Sequence, residues 1–460
     1  MARSGTALAA LMVLMHAPLR AMSALFPTVD LVATPLQRVA FGSCNDQAEK
    51  QPLWNAILAR DPQLWLWMGD VIYGDYKDMR DPMAYIPPFH FFRDATPEML
   101  KDNLQALNDD FMRFRQTVPI IAVWDDHDFG INDGGKTYPY REQSQNLFLD
   151  FVGEPKDSSR RHQQGVYTSY TIGTGERTVK FILLDVRYNK DPYDIDDGDF
   201  LGAAQWAWLE RELATSLAAF NVLVSGVQIL PTDRFYGGEH WHRFERQRMR
   251  LLGMILKSNA KGVILLSGDV HFAEINQVQC DDYKNLITEV TSSGMTHSVE
   301  ASRASSLLGS LPGLVFRIAN ALLPLEFRPH RHDYYGGLNF GELEFDWEAH
   351  PVPTAMARIV DAQGNTQLTY TFASQYFETT ADVDAAAFPG RSCLPIQEQM
   401  GPVVFTRSIV FLGVVALLLA SIPMAILMLL GVLLVVFRRS FWFMHALQRS
   451  MFDSRYQKID

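Results

Sequence analysis

Six short apolar runs, each followed at once by a polar cluster, set the tightest limit on how this chain folds. The runs are Arg38–Phe41, Leu64–Met68, Ile120–Trp124, Val179–Leu184, Val222–Val224 and Val263–Leu266. Runs of this length, rich in Val, Ile, Leu and Trp, read as strands buried on both faces. Helical patterns lie at Pro52–Arg60, Pro97–Arg115, Gly202–Leu217 and Trp241–Lys257; Trp206, Leu209 and Leu213, for instance, share one helical face. Strands alternating with helices predict an α/β fold. Residues 276–372 carry fewer helical signals and read as β-rich.

The polar clusters sit where sites form in open α/β sheets, outside the carboxyl ends of strands. Ser43, Cys44 and Asn45 follow the first run, and Gly69-Asp70-Val71-Ile72-Tyr73-Gly74-Asp75 the second. Asp125-Asp126-His127-Asp128, Asp185-Val186-Arg187, Gly226-Val227-Gln228 and Gly268-Asp269-Val270-His271 follow the others. A single Asp after a strand is more often a turn or cap residue than a ligand. Six clusters at one sheet edge are harder to explain that way. Carboxylates and imidazoles together suit a polynuclear metal site, in which one carboxylate can bridge two ions. Competing chemistries lack their motifs: no phosphate-binding G-x-x-x-x-G-K-[ST] loop, no G-x-S-x-G elbow and no H-E-x-x-H occurs.

The net charge of −11 argues against nucleic acid as a partner. It is unevenly spread: −16 over residues 24–407, +3 in the tail 438–460, and +2 from Arg3 and Arg20. Between them Ser408–Phe437 runs for 30 residues without a charge. A bilayer core needs about 20 apolar residues, so this run predicts a single transmembrane helix with length to spare. The basic tail places residues 438–460 in the cytosol. At the other end Arg3, the apolar run Ala7–Met15 and the small residues around Ala21–Ser23 predict a signal peptide over 1–24. The expectation is a type I, single-pass membrane protein, its bulk lumenal or extracellular, joined to the anchor by a linker over 376–407. A further apolar stretch, 307–325, is broken by Arg317 and Asn320; it reads as a helix covering a sheet or lying at a lipid interface, not as a span.

The segments FGSCND (41–46), WLWMGDVIYGD (65–75), WDDHDFGINDGG (124–135), FILLDVRY (181–188), LGAAQWAWLE (201–210), VSGVQIL (224–230) and LLSGDVHFAEI (265–275) resemble the PhoD-like phosphatases of the calcineurin-like metallophosphoesterase superfamily. The likeness covers about residues 36–345, within an expected domain of 25–375. It implies a four-layer α/β/β/α sandwich holding ferric iron with calcium. It places Cys44, Asp70 and Tyr73 at the iron, with Asp70 bridging, and Asp126, Gln228, Asp269 and His271 as further metal ligands; Asn45 and Asn132 are lesser candidates. The implied reaction is hydrolysis of a phosphate ester by a metal-activated hydroxide. His127 would protonate the leaving alkoxide or polarise the phosphate, and Arg187 would clamp a phosphate oxygen, unless it is engaged in an ion pair with Asp185 or a nearby acid. A lipid- or glycolipid-directed phosphodiesterase and a silent membrane receptor or scaffold of the same fold are the other readings. No role is read for His297. With Cys44 given to metal, Cys280 and Cys393 are left as a candidate pair in an oxidising lumen, a pairing that sequence cannot set.

Overall fold

The computed structural model describes residues 34–75, 93–107, 109–234, 238–300, 327–379 and 392–396, with Arg317, Asn320, Ile409, Val410 and Gly413. The chain divides into two units, residues 1–317 with 325–399, and residues 318–324 with 400–460. Of the second unit only Asn320, Ile409, Val410 and Gly413 are described, all helical. The expected signal peptide and cytosolic tail lie outside the described residues, as do the anchor apart from three residues and the 307–325 stretch apart from two. Among the described residues no helix is long and apolar enough to cross a membrane.

The first unit is mixed α/β with two sheets. One sheet has the order β13-β12-β11-β1-β2-β3. Its strands are β1 (Arg38–Gly42), β2 (Leu64–Met68), β3 (Ile120–Val123), β11 (Asn339–Asp346), β12 (Thr354–Asp361) and β13 (Thr366–Ala373). β1, β2 and β3 run parallel, so their carboxyl ends share an edge. The other sheet has the order β10-β8-β9-β7-β6-β5-β4. It comprises β4 (Thr168–Thr174), β5 (Arg177–Leu183), β6 (Phe220–Ser225), β7 (Val263–Ser267), β8 (Ala273–Cys280), β9 (Ile287–Ser292) and β10 (Tyr334–Tyr335). Here β5, β6, β7 and β9 are the parallel set.

The twofold side-chain period of a strand separates the layers. Phe181, Val222, Val224, Ile264 and Leu266 join the core cluster that also contains Val39, Phe41, Leu64 and Leu66 of the first sheet. The intervening Ile182, Leu223 and Leu265 join a different cluster, with Trp206, Leu209 and Leu213 of α6 (Gly202–Ala214) and Leu251, Leu252 and Ile255 of α7 (Glu245–Lys257). The inner faces of the two sheets therefore share one core, and α6 and α7 cover the outer face of the second. On the first sheet Trp65 and Trp67 pack edge-on against Trp54 of α1 (Trp54–Ala59), with ring centroids 5.4 and 5.7 Å apart. Burying each such aromatic side chain contributes on the order of 2–3 kcal/mol.

Two boundaries depart from expectation. The pattern read as one helix over Pro97–Arg115 is two: α2 (Pro97–Gln105), begun by Thr96 accepting from the Met99 amide, and α3 (Asp109–Thr117). Asp109 and Asp110 supply the carboxylates that favour a new helix N-terminus. Part of the expected linker is also ordered. Cys393–Pro395 forms β14, antiparallel to β8, and Cys393 is disulfide-bonded to its register partner Cys280.

Candidate metal centre

Loops from both sheets meet at one edge through backbone bonds. The Asn45 amide donates to the Asp70 carbonyl at 2.7 Å, the Gly268 amide to Gly226 at 2.9 Å, and the Met295 amide to Ser43 at 3.2 Å. This closeness explains the glycines. A Cβ on Gly69, which has φ of +102°, would lie 2.4 Å from Asp125 Cβ; one on Gly268 would lie 2.4 Å from Ser43 Oγ. Cys44, Asp70, Asp269 and His271 have φ of 63°, 51°, 73° and 60°. Left-handed backbone at non-glycine residues costs about 1–3 kcal/mol apiece and persists where the surroundings hold it. Four of the eight such residues among the described ones are residues the sequence marked as ligands.

Asp70, Asp125, Asp126 and Asp269 each offer an oxygen within 4.8 Å of the others. Asp70, Asp126 and His127 form an overlapping group, and Asp126, Asp133 and Glu239 a third. Several buried oxygens here make no hydrogen bond: Asp70 Oδ1, Asp125 Oδ2, Asp126 Oδ1 and Asn45 Oδ1. Orphaned buried acceptors are rare because each forfeits its hydration, and a cation is what such a set fits. Electrostatics agree. Burial, and then the neighbouring carboxylates, push Asp70 and Asp269 well above the usual carboxylate range. Burial raises Asp125 to about 7 even against Arg187. For Asp126 burial is outweighed by His127 and Arg187, and its pKa falls to about 2. Four carboxylates this close cannot all ionise without positive charge among them.

Of the remaining predicted residues, Cys44, Tyr73, His127 and His271 lie beside this cluster, and Arg187 and Gln228 have partners other than those expected. Cys44 Sγ lies 3.4 Å from Asp70 Oδ2 and 2.9 Å from Ser293 Oγ, and burial keeps its thiol well above its ordinary pKa. Tyr73 Oη lies 3.1 Å from His271 Nε2. The His127 ring packs tilted by 34° against Tyr73 with centroids 4.1 Å apart, and its Nδ1 is 2.7 Å from Asp75 Oδ1. Arg187 departs from the predicted phosphate clamp. It is fully buried, its Nε donating to Asp125 and its Nη1 to Glu239. Its guanidinium therefore holds carboxylates in place, and its link to Asp185 is through its backbone amide. Gln228 likewise donates its amide to Glu274 at 2.6 Å and Thr291 at 2.9 Å and accepts from Arg234 at 3.0 Å. These contacts place it in a buried polar network instead of the carboxylate cluster.

Sequence reading assigned no role to Asp125, Asp75, Ser293 or Glu239. Asp125 and Asp75 stood inside quoted segments, one position before Asp126 and two after Tyr73, but nothing in a segment says which of several carboxylates points inward. Glu239 and Ser293 reach the site from separate loops, and no spacing rule links them to it. Asp128 accepts from the Ile72 and Asp125 amides and so braces two loops.

Acidic loops from two sheets of an α/β fold thus converge on a cluster that fits cations, the arrangement a metal-dependent site requires. The model of the PhoD-like phosphatase family matches residues 39–320, and the chain belongs to that family. Among curated proteins it is similar to alkaline phosphatase D of Bacillus subtilis (strain 168), 24% identical over 194 residues. That match spans 35% of this chain and 33% of the relative, about a third of each. A solved structure described as "Structure of PhoD" shares the fold, with a TM-score of 0.54 at 15% identity, over 78% of this chain and 74% of that one.

Proposed function

We propose that this chain is a metal-dependent phosphoric ester hydrolase, its catalytic unit lumenal or extracellular on a C-terminal membrane anchor. The single observation that carries the reading is the convergence of Asp70, Asp125, Asp126 and Asp269, three of them with a buried oxygen that makes no hydrogen bond. Bound cations would supply Lewis acidity toward the phosphoryl oxygens and the attacking water. Asp70, Asp126 and Asp269 would hold them, with Cys44, Tyr73 and His271 on the side richer in nitrogen and sulfur donors. That division suits the ferric ion and calcium of the family expectation: thiolate, phenolate and imidazole donors for iron, oxygens alone for calcium. Arg187 and Lys190 grip Glu239, and Arg187 grips Asp125, so the acidic loops are preorganised. His127, oriented by Asp75, donates a proton to the leaving alkoxide. The shared core and outer helices support the four-layer sandwich of the superfamily.

The anchor rests on the uncharged run 408–437. The Cys280–Cys393 disulfide supports an oxidising compartment. The test of chemistry is turnover of p-nitrophenyl phosphate and bis(p-nitrophenyl) phosphate by the metal-loaded protein. Asp70→Ala should lower both more than about a hundredfold, beyond what outer contacts to a metal cost; near-normal turnover by the folded variant would sink the proposal. For the anchor, the full chain should enter the detergent phase and a chain ended after residue 400 should not.

A further inference from the structure

His297 has no part in the scheme above. It follows β9, is 6% exposed, and has Nδ1 3.0 Å from Thr296 Oγ1, which directs Nε2 inward. Nε2 there lies 2.9 Å from Tyr73 Oη and 3.2 Å from His271 Nε2. The third edge, Tyr73 Oη to His271 Nε2, is 3.1 Å. Three donor atoms, carried by the loops after β2, β7 and β9, thus form a near-equilateral triangle.

Protons alone account poorly for it. An imidazole nitrogen is a donor or an acceptor in a given tautomer, never both. If His271 Nε2 and His297 Nε2 are alike, the edge between them is repulsive. If they differ, Tyr73 must share the one proton or the one lone pair already used on that edge. Three separate hydrogen bonds cannot form. A cation resolves the conflict. Donors roughly 2.1 Å from an ion and at right angles lie about 3.0 Å apart, which is one face of an octahedron.

We propose that Tyr73, His271 and His297 form a facial two-nitrogen, one-oxygen donor set for a first-row transition-metal ion, with His297 a direct ligand. Two imidazoles and a phenolate suit such an ion, whereas the adjacent all-oxygen carboxylates suit calcium. The inference rests on the metal-dependent reading above and adds a residue to it.

The experiment uses the full-length chain reconstituted with ferric iron and measures three things: bound iron by mass spectrometry, the visible tyrosinate-to-iron band, and the number of coordinated imidazoles by X-ray absorption. Wild type should hold iron with two imidazoles. His297→Ala, checked for folding by circular dichroism and thermal melting, should show one imidazole, a shifted band and at least tenfold faster loss of iron to a chelator. An unchanged imidazole count and band in folded His297→Ala would overturn the assignment and leave the metal-dependent reading intact. Should that variant not fold, wild type showing a single imidazole would overturn it equally. Wild type that takes up no iron at all would instead remove the transition-metal reading on which the inference depends.

Discussion

Replacing Asp75 by Asn separates proton donation from every other function of the site. The Asp75 carboxylate and the His127 ring are both buried, and Oδ1 lies 2.7 Å from Nδ1. In Asp75→Asn the amide oxygen still accepts from Nδ1–H, but the negative charge that supports the imidazolium is gone. A charge-assisted hydrogen bond in such a place is worth about 1.5–3 kcal/mol. At about 1.36 kcal/mol per decade, the proton-transfer step should slow roughly 10- to 150-fold. Asp75 Oδ2 makes no hydrogen bond, so the new NH2 there would be a buried donor without an acceptor, costing a further 1–3 kcal/mol or so of stability. The loss of rate must depend on the leaving group. An alkyl phosphate needs its alkoxide protonated and should show the whole effect. A p-nitrophenyl ester, whose phenolate leaves unaided, should lose less than about threefold if proton transfer is the only step affected. The assay is kcat for both ester types in wild type and variant, at equal metal content and below the variant's melting temperature. Equal losses on the two substrates would refute the reasoning, because they would show that Asp75 acts on the metal centre or the fold and not through His127 as an acid.

Two further outcomes follow from buried groups away from the chemistry. Glu274 is fully buried between Arg234 and Arg328, accepting from both, and although burial opposes it, these cations hold its pKa down at about 2. A depressed carboxylate stabilises the fold above its unfolded pKa of about 4.3, so roughly 3 kcal/mol should be lost as pH falls from there through 2; denaturant melts from pH 6 to pH 2 should show it, and Glu274→Gln should flatten that part of the profile. The Cys280–Cys393 disulfide closes a loop of sequence separation 113, so Cys393→Ser should cost about 2–5 kcal/mol, read as a lower melting temperature and as loss of the mobility difference between reduced and unreduced gels.

The strands were legible because burial on both faces writes itself locally. β2 was read to the residue, and β1, β3 and β7 to within one at their ends. Helix ends were less legible where a cap interrupts a continuous pattern, as between α2 and α3. The site was half legible, for a reason that lies in chain connectivity. A motif shows which loop carries acid; it does not show the rotamer, the neighbour across the sheet, or which of two adjacent carboxylates an arginine claims. Arg187 reads as a phosphate ligand in a segment and becomes a brace once Asp125, Asp126 and Glu239 arrive from elsewhere in the chain.

The sequence by itself determined the six strands that carry the site loops, the chemical types at their ends, the uncharged run 408–437 and the number of cysteines, because each is a property of consecutive residues. Tertiary structure alone decided that Cys280 meets Cys393, that Gln228 turns into a polar network, and that Tyr73, His271 and His297 share one small triangle. Those depend on distances between residues tens to hundreds of positions apart: strand pairing within the second sheet fixes the first two, and the approach of the two sheets fixes the third.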